Sequence, residues 1–287
     1  MNHSMINAFV SMQAMQQKLD VHAHNIANIN TTGYKKRDAA FQDILTNVYQ
    51  QPIGFARDGR LTPLGLPQGW GAKIGTLEIN MEQGALKATD VPTDLAIEGN
   101  GLFEIIRDTV DEDGNPTIAW TRDGSFQFTY DPANPDDLVL ATQQGDRVLG
   151  TDDEPIVVPR DYDVQIDVDG RVFARSRVNP DEPAEQVGQL KLIRAVRPQV
   201  LLNDGNNLYT LPPGMAADGV LELIDPLTNN VDEQTKVSVR QGFLEQSNVN
   251  LTDEMTELMT LQRAYSLNAR AITSSDTLSS LTNNLRT

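Results

Sequence analysis

Proline and glycine divide this chain into three parts. All 15 prolines lie between Pro52 and Pro226, and of the 20 glycines only Gly33 falls outside residues 51–250. Proline removes a backbone donor and glycine loosens the backbone, so both interrupt helices. The two ends can run as long helices, and the middle cannot. Charge follows the same partition: residues 1–50 carry a net +1, residues 251–287 a net −1, and the whole −17 sits between them. One architecture is wrapped around another.

The middle reads as β structure. Asp-Gly, the strongest short hairpin signal, occurs at 58–59, 113–114, 123–124, 169–170, 204–205 and 218–219. Phe126, Phe128 and Tyr130 alternate after one such pair, and Val164, Ile166 and Val168 before another, which places each set on one face of a strand. Lys73–Ile79, Leu95–Ile97, Leu102–Ile106, Val187–Ile193 and Tyr209–Leu211 are further candidate strands. Short strands with no long helical pattern between them predict an antiparallel sandwich or partial barrel. Residues 33–72 carry little period and read as extended chain.

The ends read as coiled coil. Met5, Ala8, Met12, Met15, Leu19, His22 and Ile26 follow the alternating three- and four-residue spacing of a heptad seam. The C-terminal segment carries two stripes. One runs Leu251, Met255, Leu258, Gln262, Tyr265, Ala269, Ile272; the other runs Leu261, Ala264, Leu267 or Asn268, Ala271, Ser274, Leu278, Leu281, Leu285. Asn250 or Thr252 can cap this helix, and Asp253 and Glu254 suit its first turn. A helix with two apolar stripes needs neighbours on two sides. An isolated helix of this kind is marginal in water, so the ends are expected to order when other copies supply surface. The fold class expected is α plus mainly β: a discontinuous terminal helical coiled-coil domain (1–32 and 250–287), an extended connector (33–80) and a central antiparallel β domain (81–249).

Several chemistries find no support. The chain has 287 residues, enough for one large domain or two ordinary ones, and it has no cysteine, so disulfides, thiolate metal sites and thiol nucleophiles are excluded. The acidic balance argues against a nucleic-acid partner. No apolar run approaches a membrane span, and no conventional signal peptide is visible. His22 and His24, two apart on a helix, point to different faces and suit one metal poorly. Calcium-loop spacing fails around both Gly170 and Gly114, where position 12 would be Ser176 or Trp120 instead of glutamate. No dinucleotide or phosphate-loop motif is present, so no cofactor is expected. A paired-carboxylate hydrolase would leave no such pattern and stays open.

The segment His24–Lys36 resembles the N-terminal signature of the bacterial flagellar rod and hook proteins, roughly N-x-A-N-x-x-T-x-G-[YF]-K, on Asn25, Ala27, Asn28, Thr31, Gly33, Tyr34 and Lys35. Gln241–Glu245, Ser247–Asn250 and Gln262–Tyr265 are similar to the family's C-terminal motif. Asp94–Ile97, Thr121–Phe126 and Val187–Leu190 match central blocks in the expected order. Within the family the likeness is to the distal-rod type. Leu102 stands where the family usually has Phe, and the stretch around Gln50–Gly71 does not match closely.

The resemblance implies a non-enzymatic structural subunit. It would leave the cell through the flagellar export apparatus without a cleaved signal and polymerise into the basal-body rod, a helical tube with an open channel that transmits torque. Its partners would be itself and other rod and hook subunits. Met5, Met12, Leu19 and Ile26 would be knobs on the first helix. Met255, Leu258, Tyr265 and Ile272 would receive them or face a neighbouring subunit, the alternative being pairing within one subunit alone. Asn25, Asn28, Asn30, Thr31, Gly33 and Tyr34 would form the helix exit, with Gly33 supplying a positive φ. The competing functions are a hook or hook-associated protein and, more distantly, a secreted β-rich binding protein with oligomerising ends.

Overall fold

A computed structural model describes residues 3–44, 47–49, 66–110, 116–131, 134, 137–177, 183–215, 217, 219–224 and 237–285. The Asp-Gly pairs at 58–59 and 113–114, Asp218, and connector residues 45–46 and 50–65 lie outside these. The chain divides into two compact units. One, the helical unit, comprises Met1–Ala27, Arg37–Glu78 and Asn250–Thr287; the other, the β unit, comprises Asn28–Lys36 and Ile79–Val249.

The helical unit is built on α1 (His3–Ala27) and α2 (Leu251–Asn284). At about 1.5 Å per residue they are roughly 37 and 51 Å long. His22 meets Glu254 and Met15 meets Asn268, so the helices run antiparallel. The start of α2 is fixed by Asn250, whose Oδ1 accepts the Thr252 N–H at 3.0 Å, and Asp253 and Glu254 follow in the first turn. The remainder of the unit is not merely extended. Arg37–Asp43 pairs with Ala72–Ile79, and Asn47–Tyr49 pairs antiparallel with Leu66–Gln68. This β segment also packs on α1. Asn7 donates to the Gly69 carbonyl at 2.9 Å, the Lys18 ammonium lies 5.2 Å from the Phe41 ring centre, and Asn25 brackets Arg37.

The β unit is antiparallel in every strand pair with a described register. Its main sheet has the order Val157–Pro159, Asp137–Ala141, Arg147–Val148, Leu102–Val110, Pro116–Thr121, Leu208–Thr210, Leu202–Asn203. Leu192–Ala195 joins it through Leu102–Val110, and Gln127–Tyr130 through Asp137–Ala141. A three-stranded sheet, Tyr162–Ile166, Arg171–Ser176 and Glu185–Gln189, stands beside it. Leu95, Ile97, Phe103, Ile105, Leu190, Leu192 and Val239 form the centre of the main core. The Phe103 and Phe126 rings meet edge to face at 5.1 Å.

The Asp-Gly pairs separate into two kinds. Those at 169–170 and 204–205 turn hairpins, with Gly170 and Gly205 at φ +75° and +85°. The pair at 123–124 does not, because the strands on either side of it hydrogen-bond elsewhere: Pro116–Thr121 to Leu102–Val110, and Gln127–Tyr130 to Asp137–Ala141. Gly124 instead lies against the backbone of Leu95, whose N–H it receives at 3.0 Å. The run Val187–Ile193 also splits into two strands, one in each sheet.

Candidate assembly surfaces

The two helices differ in how much of each is covered. On α1, Met5, Met12, Leu19 and Ile26 are all half-buried, and Ala14 is buried on another face. Within its unit α1 has two neighbours, α2 and the β segment, and Asn25 touches both. On α2 the face that meets α1 carries Glu254, Leu258, Leu261, Tyr265, Asn268 and Ile272, of which Glu254 and Leu261 are buried and the others half-buried. It draws on both stripes visible in the sequence, since Leu261 falls between Leu258 and Tyr265 at helical spacing.

Across this seam runs a polar contact. His22 Nδ1 lies 2.5 Å from Glu254 Oε2, and Asn25 Nδ2 reaches the same oxygen at 3.3 Å. All three side chains are buried. Their signal in the sequence is a pair of polar residues at helical positions that an apolar seam would otherwise fill.

The other flank of α2 carries a row of exposed apolar side chains, interleaved with the exposed Arg263 and Arg270. Met255 and Met259 are 52% and 51% exposed, Leu267 and Leu278 both 62%, and Leu281 59%. Met255, expected to receive α1 or to face a neighbouring subunit, is thus on the outer side, whereas Leu258, Tyr265 and Ile272 are on the inner one. Each such side chain is worth about 1.5–3 kcal/mol if a neighbour covers it. Scattered apolar side chains need no explanation, but these share a helix flank over about seven turns.

The exit motif begins at the end of α1 and continues along the chain into the β unit. Asn25, still within α1, uses both ends of its amide on Arg37, donating to its carbonyl at 2.9 Å and accepting its N–H at 3.0 Å. In the turn that follows, Asn28 Oδ1 accepts from the Thr31 hydroxyl at 3.2 Å, and Asn30 is exposed. Gly33 takes φ +66°, and a Cβ there would lie 2.5 Å from the Asp123 backbone nitrogen. Two independent reasons therefore require glycine. Tyr34 is buried.

Next to it, Lys35, Glu245 and Arg122 form a cluster that spacing alone does not reveal, although each stands in one of the three motif blocks. Lys35 Nζ is 2.8 Å from Glu245 Oε1, Arg122 Nε bonds Oε2, and all three side chains are 2% exposed. Burial and the Arg122 charge push the Lys35 ammonium down to about 8, against the pull of Glu245. Folded protein thus releases this proton near pH 8, whereas the unfolded chain keeps it to about 10.4. In that window the unfolded state binds more protons, so stability from this group rises with pH. Relative to Lys35→Met, the wild type is expected to gain on the order of 2 kcal/mol between pH 7 and pH 10. Urea titrations at the two pH values check this, and a constant difference would contradict it.

Among the described residues no three metal-ligating side chains come together, and the acidic turn at Asp167 and Asp169 is engaged by Arg171. No helix among them is long and apolar enough to cross a membrane.

Comparison with known proteins places three family models along the chain. The flagella basal body rod protein model matches residues 8–35, the flagellar hook protein FlgE/F/G D1 domain matches 96–174, and the flagellar basal body rod FlgEFG protein C-terminal model matches 240–285. The chain is 33% identical to the flagellar basal-body rod protein FlgG of Borreliella burgdorferi, covering 100% of this chain and 99% of that protein. It is 32% identical to the protein of the same name from Caulobacter vibrioides, over 96% of each chain. It is also 30% identical, over 100% of each, to the flagellar hook-basal body complex protein FlhP of Bacillus subtilis.

Proposed function

This chain belongs to the flagellar basal-body rod and hook protein family, as a structural subunit of the rod type, and from that premise we propose how it assembles and what it carries. Copies polymerise into a helical tube through their terminal helices. The seam of α1 and α2 closes within each subunit, and the outer stripe of α2 packs against helices of neighbouring copies in coiled-coil fashion. The single observation that carries this reading is that stripe, which a lone subunit leaves in water.

The acidic β unit suits a solvated outer wall, where net charge keeps finished rods from sticking to one another. The tube leaves a channel open for exported subunits and passes torque outward. The partners are further copies, the other axial subunits at either end and the export apparatus that delivers the unfolded chain; no enzymatic step and no cofactor enters. The location is the flagellar basal body. The likeness to a hook-basal body complex protein, at 30% identity, is the specific observation for a hook-adjacent role, but rod proteins from several organisms match at 32–33%, which favours the rod itself.

Deletion of the gene is expected to give basal bodies whose axial structure stops within the rod, with neither hook nor filament, when purified and imaged by electron microscopy. Complete rods lacking only the hook would move the protein to the hook side, and intact flagella would overturn the assignment.

A further inference from the structure

The backbone passes between the two units after Ala27, Lys36, Glu78 and Val249. Three stretches of the β unit border those passages: 28–36, 79–84 and 245–249. We infer that Glu245 is the hub of a polar clasp, completed by Lys35, Arg122 and Asn248, that binds these stretches to one another and so stiffens the β unit where load enters it.

The bonding supports a hub. Glu245 Oε1 accepts from Lys35 Nζ at 2.8 Å and from the Gly84 N–H at 2.7 Å, while Oε2 accepts from Arg122. The Glu245 backbone carbonyl accepts the Gly33 N–H at 2.8 Å. Lys35 Nζ donates onward to the Glu82 carbonyl at 2.7 Å. Asn248 closes the other side: its Oδ1 accepts the Lys36 N–H at 2.7 Å, and its Nδ2 donates to the Asn80 and Glu82 carbonyls at 3.0 and 3.1 Å. Arg122 anchors the hub in the core through the carbonyls of Ile97, Gly99 and Gly101.

Buried ion pairs add little net stability, so stability alone does not account for two cations on one hidden carboxylate. Their distinguishing property is direction. Apolar contacts can slide at little cost, whereas charge-assisted hydrogen bonds fix distance and angle. A subunit that passes torque needs its connecting segments held in one geometry. The clasp rests on the rod reading for that load, but its existence does not.

The test uses the full-length monomer and Glu245→Gln, with Glu104→Gln as control. Glu104 is an equally buried carboxylate elsewhere in the unit, bonded to Trp120 and Lys191. Hydrogen exchange at the Gly33, Lys36 and Gly84 amides is expected to quicken at least tenfold in Glu245→Gln relative to Ile105 in the core, and to change less than twofold in Glu104→Gln. No selective increase, or an equal one in both variants, overturns the clasp. Should Glu245→Gln fail to fold, Asn248→Ala reads the Lys36 amide with the ion pairs intact, and unchanged protection there is equally fatal. In cells, Glu245→Gln is expected to lose swimming speed more steeply than wild type as medium viscosity rises; parallel curves would remove the load-bearing role. Failure of the rod assignment would appear separately, in basal-body images.

Discussion

Leu267→Asp leaves the subunit folded and stops it polymerising. The side chain is 62% exposed on α2, so in the free subunit the change touches almost nothing and is expected to shift stability by no more than about 0.5 kcal/mol. In the proposed packing the same position lies under a neighbouring helix, where an unpaired carboxylate costs several kcal/mol. About 3–4 kcal/mol per contact raises the concentration needed for assembly roughly two to three orders of magnitude. Leu278→Asp, at the same exposure, is expected to behave alike. Ile272→Asp is the contrast: half-buried on the face towards α1, it should loosen the helical unit as well as block assembly. Thermal melts followed by circular dichroism separate the two classes, and sedimentation of assembled material with swimming assays gives the second readout. Normal motility in Leu267→Asp and Leu278→Asp together would mean that the outer stripe is not the polymer contact.

What the sequence made legible, and what it did not, follows from the range over which each signal acts. The absence of breakers at both ends and the helical spacing of Met5 to Ile26 are local, and they correspond to two long terminal helices. Gly170 and Gly205 are local in the same sense, since a hairpin turn is decided within four residues. Leu258 and Leu261 fall on different stripes in the sequence because a two-stripe helix does not say which flank its partner takes. That choice is made by α1, whose His22 and Asn25 meet Glu254. Lys73–Ile79 reads as a strand in sequence, but its partner Arg37–Asp43 stays hidden for a related reason: a mostly exposed strand without alternation declares itself only against what it packs on. Lys35, Arg122 and Glu245 are each visible in their motifs, yet lie 87 to 210 residues apart along the chain, and only the folded backbone brings them into one cluster.

Gly124 is the clearest case, and its replacement by alanine is expected to be the most damaging single substitution in the β unit. A turn glycine and a close-approach glycine look the same in sequence. At Gly124 an added Cβ would fall 1.6 Å from the Leu95 carbonyl oxygen and 2.7 Å from its carbon, distances that no rotamer can relieve because both partners are backbone. Leu95 is fully buried and its strand pairs with Ser238–Gln241, so either the Leu95–Glu98 strand or the 123–125 segment must move, and Arg122 loses its hold on the carbonyls beyond. The expected loss is about 4 kcal/mol or more, the range reserved for steric failure in a packed core. Gly145→Ala calibrates the alternative. Gly145 has φ +97° and no atom within 4 Å of the added Cβ, so its cost is backbone strain alone, about 1–2 kcal/mol. Urea unfolding of the two variants side by side decides the matter: equal midpoints would show that Gly124 is an ordinary turn residue, as its Asp-Gly context advertises, and a wide gap in favour of Gly145→Ala would show that the Leu95 backbone dictates the glycine.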